Sequence, residues 1–314
     1  MRFLVVGAGA MGGYYGGRLL EAGADVTFLV RARRAEQLAA TGLVITSPAG
    51  NASLPSPPTV LASELRSVFD VVLLSCKAYD LEGAMESVAP AVGPSTLVIP
   101  FLNGMRHLDV LDARFGADRV LGGTCFISAK LDEAGRIEHL SALHRLAFGE
   151  RTGGLSERVK AVATAMAGAK FEASPTDNVV QEMWEKWVFL AALAGITCLT
   201  RAAVGDVVAA GGTDLTVALL DECAAIATAA GYPPRPEPLR AAIGRLTHPK
   251  SVVTASMLLD IERRGPTEAD HALGDLLRRR GGATDGDRSL LRIAYTAVKA
   301  AEARATRAAG SAAG

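Results

Sequence analysis

At 314 residues and 49% hydrophobic content, the chain is long enough for two domains with buried cores. Lys+Arg and Asp+Glu balance at 33 each, which leaves no electrostatic case for nucleic acid or a membrane surface as partner. Cys76, Cys125, Cys198 and Cys223 form no CxxC pair, so reduced thiols and a cytoplasmic setting are expected. The first strand begins at once, so no signal peptide is expected, and the longest apolar run, 188–199, is shorter than a bilayer span needs. The five histidines show no ligand spacing. The pairs Glu138-His139 and Asp270-His271 are adjacent, and adjacent side chains point apart, so no metal is expected.

The apolar run Arg2–Val6 has strand composition and leads straight into Gly7-Ala8-Gly9-Ala10-Met11-Gly12. A helical segment follows, stops at Gly23, and gives way to a second strand over 26–30. GxGxxG in that setting is where a dinucleotide pyrophosphate needs it. Gly7 allows the tight turn, Gly9 lets backbone approach the phosphates, and Gly12 lets helix pack on strand. The helix N-terminus supplies N–H groups and partial positive charge to the anion. Sites for NAD place Asp or Glu after the second strand, on the ribose 2′-hydroxyl. Here Arg31 stands there, followed by Arg33 and Arg34, with no carboxylate over 26–35. A guanidinium suits a 2′-phosphate, so NADP(H) is the expected cofactor. The competing reading makes some of these arginines a solvated loop.

Further along, 34–43 reads as helix and the proline-rich 43–58 as short strands and loop. Residues 71–75 form a strand before Cys76-Lys77-Ala78, 81–92 is helical, and 96–102 is a strand leading to Asn103-Gly104. The runs 120–129 and 137–148 read as the last strands of the sheet. Such alternation predicts an α/β fold with a Rossmann-type, doubly wound parallel sheet. Ligands bind outside the carboxyl ends of such strands. Lys77 and Asn103 are therefore expected on the same edge as the glycine loop. Singly each reads as easily as a surface lysine or a turn; together they favour a site.

From residue 155 the character changes. Helix over 157–166, a strand over 170–173 and a turn at 174–177 precede a chain that is helical almost throughout. The helices are expected at 178–199, 215–230, 238–245, 258–262, 268–280 and 295–306. The domains expected are 1–173, binding NADP, and 174–307, helical and carrying substrate and catalysis. The small-residue tail 308–314 is expected to be disordered. Arg278-Arg279-Arg280 reads as a solvated helix end. Lys186 opens an apolar run on the helix over 178–199, so it either snorkels to solvent or faces a ligand. Its face continues through Leu190 and Ala194.

Across nearly its whole length the chain resembles the ketopantoate reductases (2-dehydropantoate 2-reductases). The likeness lies in the glycine loop, Arg31, Cys76-Lys77-Ala78, Asn103-Gly104, Trp184-x-Lys186, Ser256-Met257 and Glu268-Ala269-Asp270. It implies an oxidoreductase in which reduced NADP delivers a hydride to the ketone carbon of a 2-oxo acid. The lysine matching Lys186 would protonate the carbonyl oxygen as charge builds on it. By the same likeness Lys77, Asn103 and the backbone at Ala129 would contact cofactor or carbonyl. Ser256 would bind the substrate carboxylate, and Glu268 would sit near the cofactor.

The departures lie on the substrate side. The family carries asparagines where this chain has Leu190, Ala194 and Val253. Loss of these polar groups implies a retuned substrate, a bulkier or more apolar oxo compound or an imine, with ketopantoate itself open if other residues supply the contacts. The reading from a different class is a non-catalytic NADP(H)-binding redox sensor. Lys186, Ser256 and Glu268 argue against it, since a sensor needs no positioned proton donor. A histidine general acid stays open behind Lys186. The Ala- and Leu-rich helices fit a homodimer interface as easily as a core.

Overall fold

The computed structural model describes residues 1–280 and 289–312. Its contacts divide the chain into two compact units: Met1–Leu102 with His107–Val180, and Asn103–Arg106 with the chain from Gln181 onward.

The strands of the first unit are β1 (Arg2–Val6), β2 (Asp25–Leu29), β3 (Leu43–Thr46), β4 (Ala52–Leu54) and β5 (Thr59–Val60). They continue with β6 (Val71–Leu74), β7 (Leu97–Pro100), β8 (Gly122–Leu131), β9 (Ile137–Gly149) and β10 (Glu172–Pro175). Five of them form a parallel sheet in the order β5-β2-β1-β6-β7, the doubly wound pattern with β1 at its centre. Phe3, Leu4, Val5 and all of β6 are fully buried, as strands covered on both faces must be, which is why they read as unbroken apolar runs.

A second sheet, β10-β9-β3-β4 with β8 paired to β9, holds the strands expected to end the parallel sheet. Among the described residues, it is the start of that stretch that hydrogen-bonds to the parallel sheet. The Val98 N–H donates to the Arg119 carbonyl (2.8 Å) and the Leu121 N–H to the Val98 carbonyl (3.0 Å). The chain then leaves to form an antiparallel β8–β9 pair closed by a turn at 132–136, with Gly135 at φ +79°. A tight hairpin can only join antiparallel neighbours; a parallel pair needs a crossover of about a dozen residues.

Between the two sheets lies α1 (Ala10–Glu21), whose sequence AMGGYYGGRLLE explains how both come so close. A Cβ at Gly16 would stand 2.6 Å from Phe28 and 2.9 Å from Val5, on the parallel sheet. A Cβ at Gly13 would stand 2.6 Å from Ile137, and one at Gly17 2.5 Å from Leu43, on the second sheet. Glycines four apart thus form one bare stripe for each sheet. The next helices are α2 (Ala32–Thr41), α3 (Leu81–Val88), α4 (Arg106–Phe115, from residue 107) and α5 (Glu157–Ala165). Strand β10 includes residues expected to turn: the Thr176 N–H still donates to the Phe148 carbonyl (2.9 Å), and the first unit runs on to Val180.

The second unit contains α6 (Val179–Thr200, from residue 181), α7 (Val204–Ala209), α8 (Thr213–Ala229) and α9 (Pro236–Leu246). It continues with α10 (Ser256–Glu262), a π-helical turn Asp270–Gly274, α11 (Asp275–Arg279) and α12 (Leu290–Ala312). Helix α6 is long and apolar enough to cross a membrane by length and composition alone; most of it is buried inside the protein. The stretch 268–280, expected as one helix, is interrupted by the wider π turn. Arg278 and Arg279 are exposed and Arg280 is half-buried at the end of α11, as a solvated helix end would be, but the three are also engaged with the protein. Arg279 donates to Asp275 (2.9 Å) and lies over the Trp184 and Trp187 rings at 5.8 and 5.7 Å, and Arg280 approaches Glu222 at 3.7 Å. Residues 308–312, expected as a disordered tail, continue α12, in keeping with the high helix propensity of Ala308 and Ala309. Residues 313–314 lie outside the described residues.

One polar cluster is buried inside the first unit. Tyr14 Oη bonds His144 Nδ1 (2.6 Å), Ser47 Oγ bonds His139 Nδ1 (2.8 Å), and the two imidazoles stack at 5.2 Å. Arg18, fully buried, packs over Tyr14 and donates to Glu21 (2.7 Å) and the Gly50 carbonyl (2.5 Å). Burial, then His144 and Arg18, holds His139 below the usual histidine range; burial, then Arg18, does the same to His144. Both shifts favour the neutral ring. Their contribution to stability is fully present above the unfolded value of about 6.5 and is lost as pH falls through the depressed folded values. The thermal midpoint measured against pH should therefore fall through this window, and the His139→Gln/His144→Gln double variant should show a shallower fall. Equal slopes would show that the pair does not titrate with unfolding.

Candidate functional site

The glycine loop leaves β1 at the carboxyl edge of the parallel sheet. Gly7 takes φ +93°, and its N–H donates to the Leu29 carbonyl (2.9 Å), tying the loop to the end of β2. A Cβ at Gly12 would collide with Ser75 Oγ and the Gly7 carbonyl oxygen, so α1 sits directly on the strand ends. Ser75 fixes that crossing by donating to the Val6 carbonyl (2.7 Å). Gly9 is the N-cap of α1. It has no side-chain cap, no acidic residue follows in the first turn, and a Cβ added there would meet nothing within 4 Å. Ala8 is buried, and Ala10 and Met11 open the helix. Unpaired N–H groups of a helix start, a bare backbone approach and no competing carboxylate together fit a pyrophosphate.

Arg31 caps α2 at the end of β2, and its side chain is 84% exposed. Its Nη2 donates to Asp80 Oδ1 (2.8 Å), a carboxylate that arrives from the turn after β6 and not from the arginine's own loop. Arg33 is exposed. Arg34 turns inward: Nε donates to the Ala8 carbonyl (3.0 Å) and Nη1 to Gln37 (2.5 Å), so it braces the glycine loop. Lys77, half-buried, begins the 3₁₀ turn Ala78–Asp80 after β6. Glycine loop, Arg31 and Lys77 thus follow the ends of β1, β2 and β6, neighbours in one parallel sheet. Ala129 lies on β8 in the second sheet, opposite His139 and just past a β-bulge.

The remaining candidates belong to the second unit. Asn103 lies beyond the end of β7, half-buried, in the short segment 103–106 that is grouped with the helical unit. Lys186 and Leu190 are half-buried on one face of α6, and Ala194, one turn further, is 5% exposed. Ser256 is exposed in the first turn of α10, whose N-cap Ala255 donates to Thr197 Oγ1 on α6 (3.3 Å). Val253, just before it, is 50% exposed, and its carbonyl accepts from the Val204 N–H (3.0 Å). Glu268 is half-buried ahead of the π turn, and Trp187 Nε1, next to Lys186, donates to the Ala272 carbonyl of that turn (2.8 Å). Among the described residues no group of His, Cys, Asp and Glu is placed to hold a metal ion.

Sequence reasoning overlooked Ser75 and the bracing contacts of Arg34. Ser75 ends an apolar strand at the edge where ligands bind, which is a readable signal; the Arg34 contacts depend on tertiary structure.

The two loop glycines should behave differently. Gly12→Ala overpacks a filled crossing and should cost about 1–3 kcal/mol of stability. Gly9→Ala meets open space and should cost no more than about 1 kcal/mol, as a weaker N-cap, yet it fills the approach to the helix N-terminus. Thermal melts paired with NADPH titration check this. A Gly9→Ala protein that binds NADPH as tightly as the parent would contradict the pyrophosphate assignment.

Comparison with known proteins agrees with these observations. Residues 3–153 match the family described as ketopantoate reductase PanE/ApbA, and residues 178–302 match its C-terminal part. An uncharacterized oxidoreductase of Bacillus subtilis, YkpB, is 42% identical over 280 residues, covering 89% of this chain and 92% of that protein. A 2-dehydropantoate 2-reductase of Mesorhizobium japonicum is 29% identical over 294 residues, covering 86% and 88%. The crystal structure of 2-dehydropantoate 2-reductase from Methylococcus capsulatus superposes with a TM-score of 0.83 at 29% identity, over 97% of this chain and 98% of that one. The chain belongs to the ketopantoate reductase family and is an oxidoreductase that uses a nicotinamide dinucleotide.

Proposed function

We propose that this protein reduces the carbonyl of a 2-oxo acid bulkier or more apolar than ketopantoate, with NADPH as reductant. The observation that carries the reading is the face of α6, where half-buried Lys186 is followed by apolar Leu190 and Ala194, positions at which the family resemblance implies amide side chains. Val253 extends the same apolar change to the segment before Ser256.

The first unit would bind the dinucleotide, with residues 7–12 and the α1 N-terminus at the pyrophosphate and Arg31 at the 2′-phosphate. Bound and reduced, the nicotinamide supplies the hydride. Lys186 would stabilise the negative charge that grows on the carbonyl oxygen and hand it a proton. Ser256 would donate a hydrogen bond to the substrate carboxylate. Lys77, Asn103, Glu268 and the Ala129 backbone would orient cofactor and carbonyl. Leu190, Ala194 and Val253 would bound the substrate's side chain, where an alkyl or aryl group loses nothing and a hydroxyl finds no partner.

NADPH oxidation with ketopantoate beside bulkier 2-oxo acids, aldehydes and cyclic imines tests the substrate class. Turnover of an apolar oxo acid well above ketopantoate is expected, and family-like efficiency on ketopantoate would overturn the retuned pocket. Lys186→Ala should lower kcat by about a hundred- to ten-thousand-fold while NADPH still binds. Unchanged turnover would remove Lys186 as proton donor. Arg31→Ala should weaken NADPH by about ten- to a hundredfold and leave NADH unaffected, as expected for loss of a charged hydrogen bond to phosphate. Equal effects on both cofactors would contradict the 2′-phosphate role.

A further inference from the structure

Residues 103–106 are grouped by their contacts with the second unit, although the chain on either side belongs to the first. His271 is what they touch there. Gly104 takes φ +77°, and a Cβ on it would stand 3.2 Å from the His271 carbonyl oxygen, 3.3 Å from ring Cδ2 and 3.4 Å from Nε2. The His271 ring, 8% exposed, is hydrogen-bonded to the Asn103 backbone. Glu268 favours a charged ring, but burial outweighs it and holds His271 below the usual histidine range.

The turn carrying His271 is fixed from several sides. The Glu268 carbonyl accepts from the His271 N–H (3.1 Å) and the Ala272 N–H (2.8 Å). Trp187 Nε1 donates to the Ala272 carbonyl (2.8 Å). Tyr295 donates to Asp270 Oδ1 (2.6 Å) and Lys299 to Asp270 Oδ2 (2.9 Å). The turn is π-helical, and such wide turns often mark functional positions because they re-aim the groups they carry.

We propose that His271 is a positioning residue whose ring holds the Asn103–Gly104 turn against the Glu268 turn. Asn103 and Glu268 are thereby set as one body, and Trp187 joins that body to the helix turn bearing Lys186. The inference rests on the roles proposed above for Asn103, Lys186 and Glu268. It assigns His271 no contact with substrate or cofactor. A neutral imidazole suits the task, since it offers one N–H to a backbone carbonyl and a flat face to a glycine, without burying a charge.

The test compares the full-length parent, His271→Phe, which keeps a flat ring without a donor, and His271→Gln, which restores an N–H. Amide hydrogen exchange at 103–106, followed by mass spectrometry, reads the contact without any substrate. His271→Phe should speed exchange there by about tenfold, the effect of losing one buried hydrogen bond, and His271→Gln should return it towards the parent. On the oxo acid that the panel turns over fastest, His271→Phe should lower kcat by about ten- to a hundredfold with KM for NADPH little changed, and His271→Gln should recover most of that loss. Parental exchange in His271→Phe, or equal impairment in both variants, would overturn the proposal. Asn103→Ala is measured alongside. If it turns over like the parent, the role given to Asn103 fails, while the exchange result still decides whether His271 holds the turn.

Discussion

The structure depends on how closely α1 can approach its neighbours. Its glycines work in pairs, Gly12 with Gly16 towards the parallel sheet and Gly13 with Gly17 towards the second sheet. One stripe brings the helix N-terminus down on the ends of β1 and β6, where Ser75 and the glycine loop meet it. The other lets Ile137, Leu43 and Ile45 close from the opposite side. Glycine in a helix interior costs about 1 kcal/mol each against alanine, so such a helix is poor on its own propensity and is held by what packs on it. Fully buried Tyr14, Tyr15 and Leu19 supply that packing from the same turns. The open, uncapped start of α1 and the joining of the two sheets are therefore one constraint.

The same helix shows how far the sequence could be read. Gly7, Gly9 and Gly12 were legible because their spacing encodes local events: a positive φ, an open N-cap and a close crossing. The doublets Gly12-Gly13 and Gly16-Gly17 carried a second message, that the helix is covered on two faces, but it cannot be read without knowing that a second sheet exists. The parallel strands were legible as continuous apolar runs. The β8–β9 pair was legible as strands and not as a separate hairpin, because its turn residues look like any polar loop until Gly135 is seen at positive φ. Helix α4 went unread, since it begins within residues of the Asn103-Gly104 turn that drew attention for another reason.

Candidate site residues divide along a similar line. Residues 7–12, Arg31 and Lys77 were found by position relative to strand ends, and those strand ends are neighbours in the sheet. Arg34 was grouped with Arg31 by residue type, yet a brace on the Ala8 carbonyl and a salt bridge to Asp80 are different duties that only tertiary contacts separate. Arg279 illustrates the same limit: three consecutive arginines look solvated in sequence, but stacking over Trp184 and Trp187 needs two helices already in place. His271 stood beside Asp270 as an adjacent pair of no metal-binding value. The π turn then uses the two on different tasks, Asp270 towards Tyr295 and Lys299, His271 towards Gly104.

On the proposed reading, the chemistry and the specificity of this protein are carried by groups of opposite character. Proton donation and carboxylate binding need Lys186 and Ser256 whatever the rest of the substrate is, so these define a class of reaction and not a substrate. Leu190, Ala194 and Val253 offer no donor or acceptor from their side chains, and apolar surfaces discriminate by volume. A methylene more or less is worth about 1–3 kcal/mol in such a pocket, whereas a site built to bond a hydroxyl rejects analogues lacking it by about 10⁴–10⁵. Replacing amides by aliphatic side chains therefore exchanges sharp selection of one polar substrate for graded selection by shape. A family member with these three positions apolar should act on a series of related oxo acids ranked by fit, and its natural substrate is the member of that series whose size fills the face below Lys186.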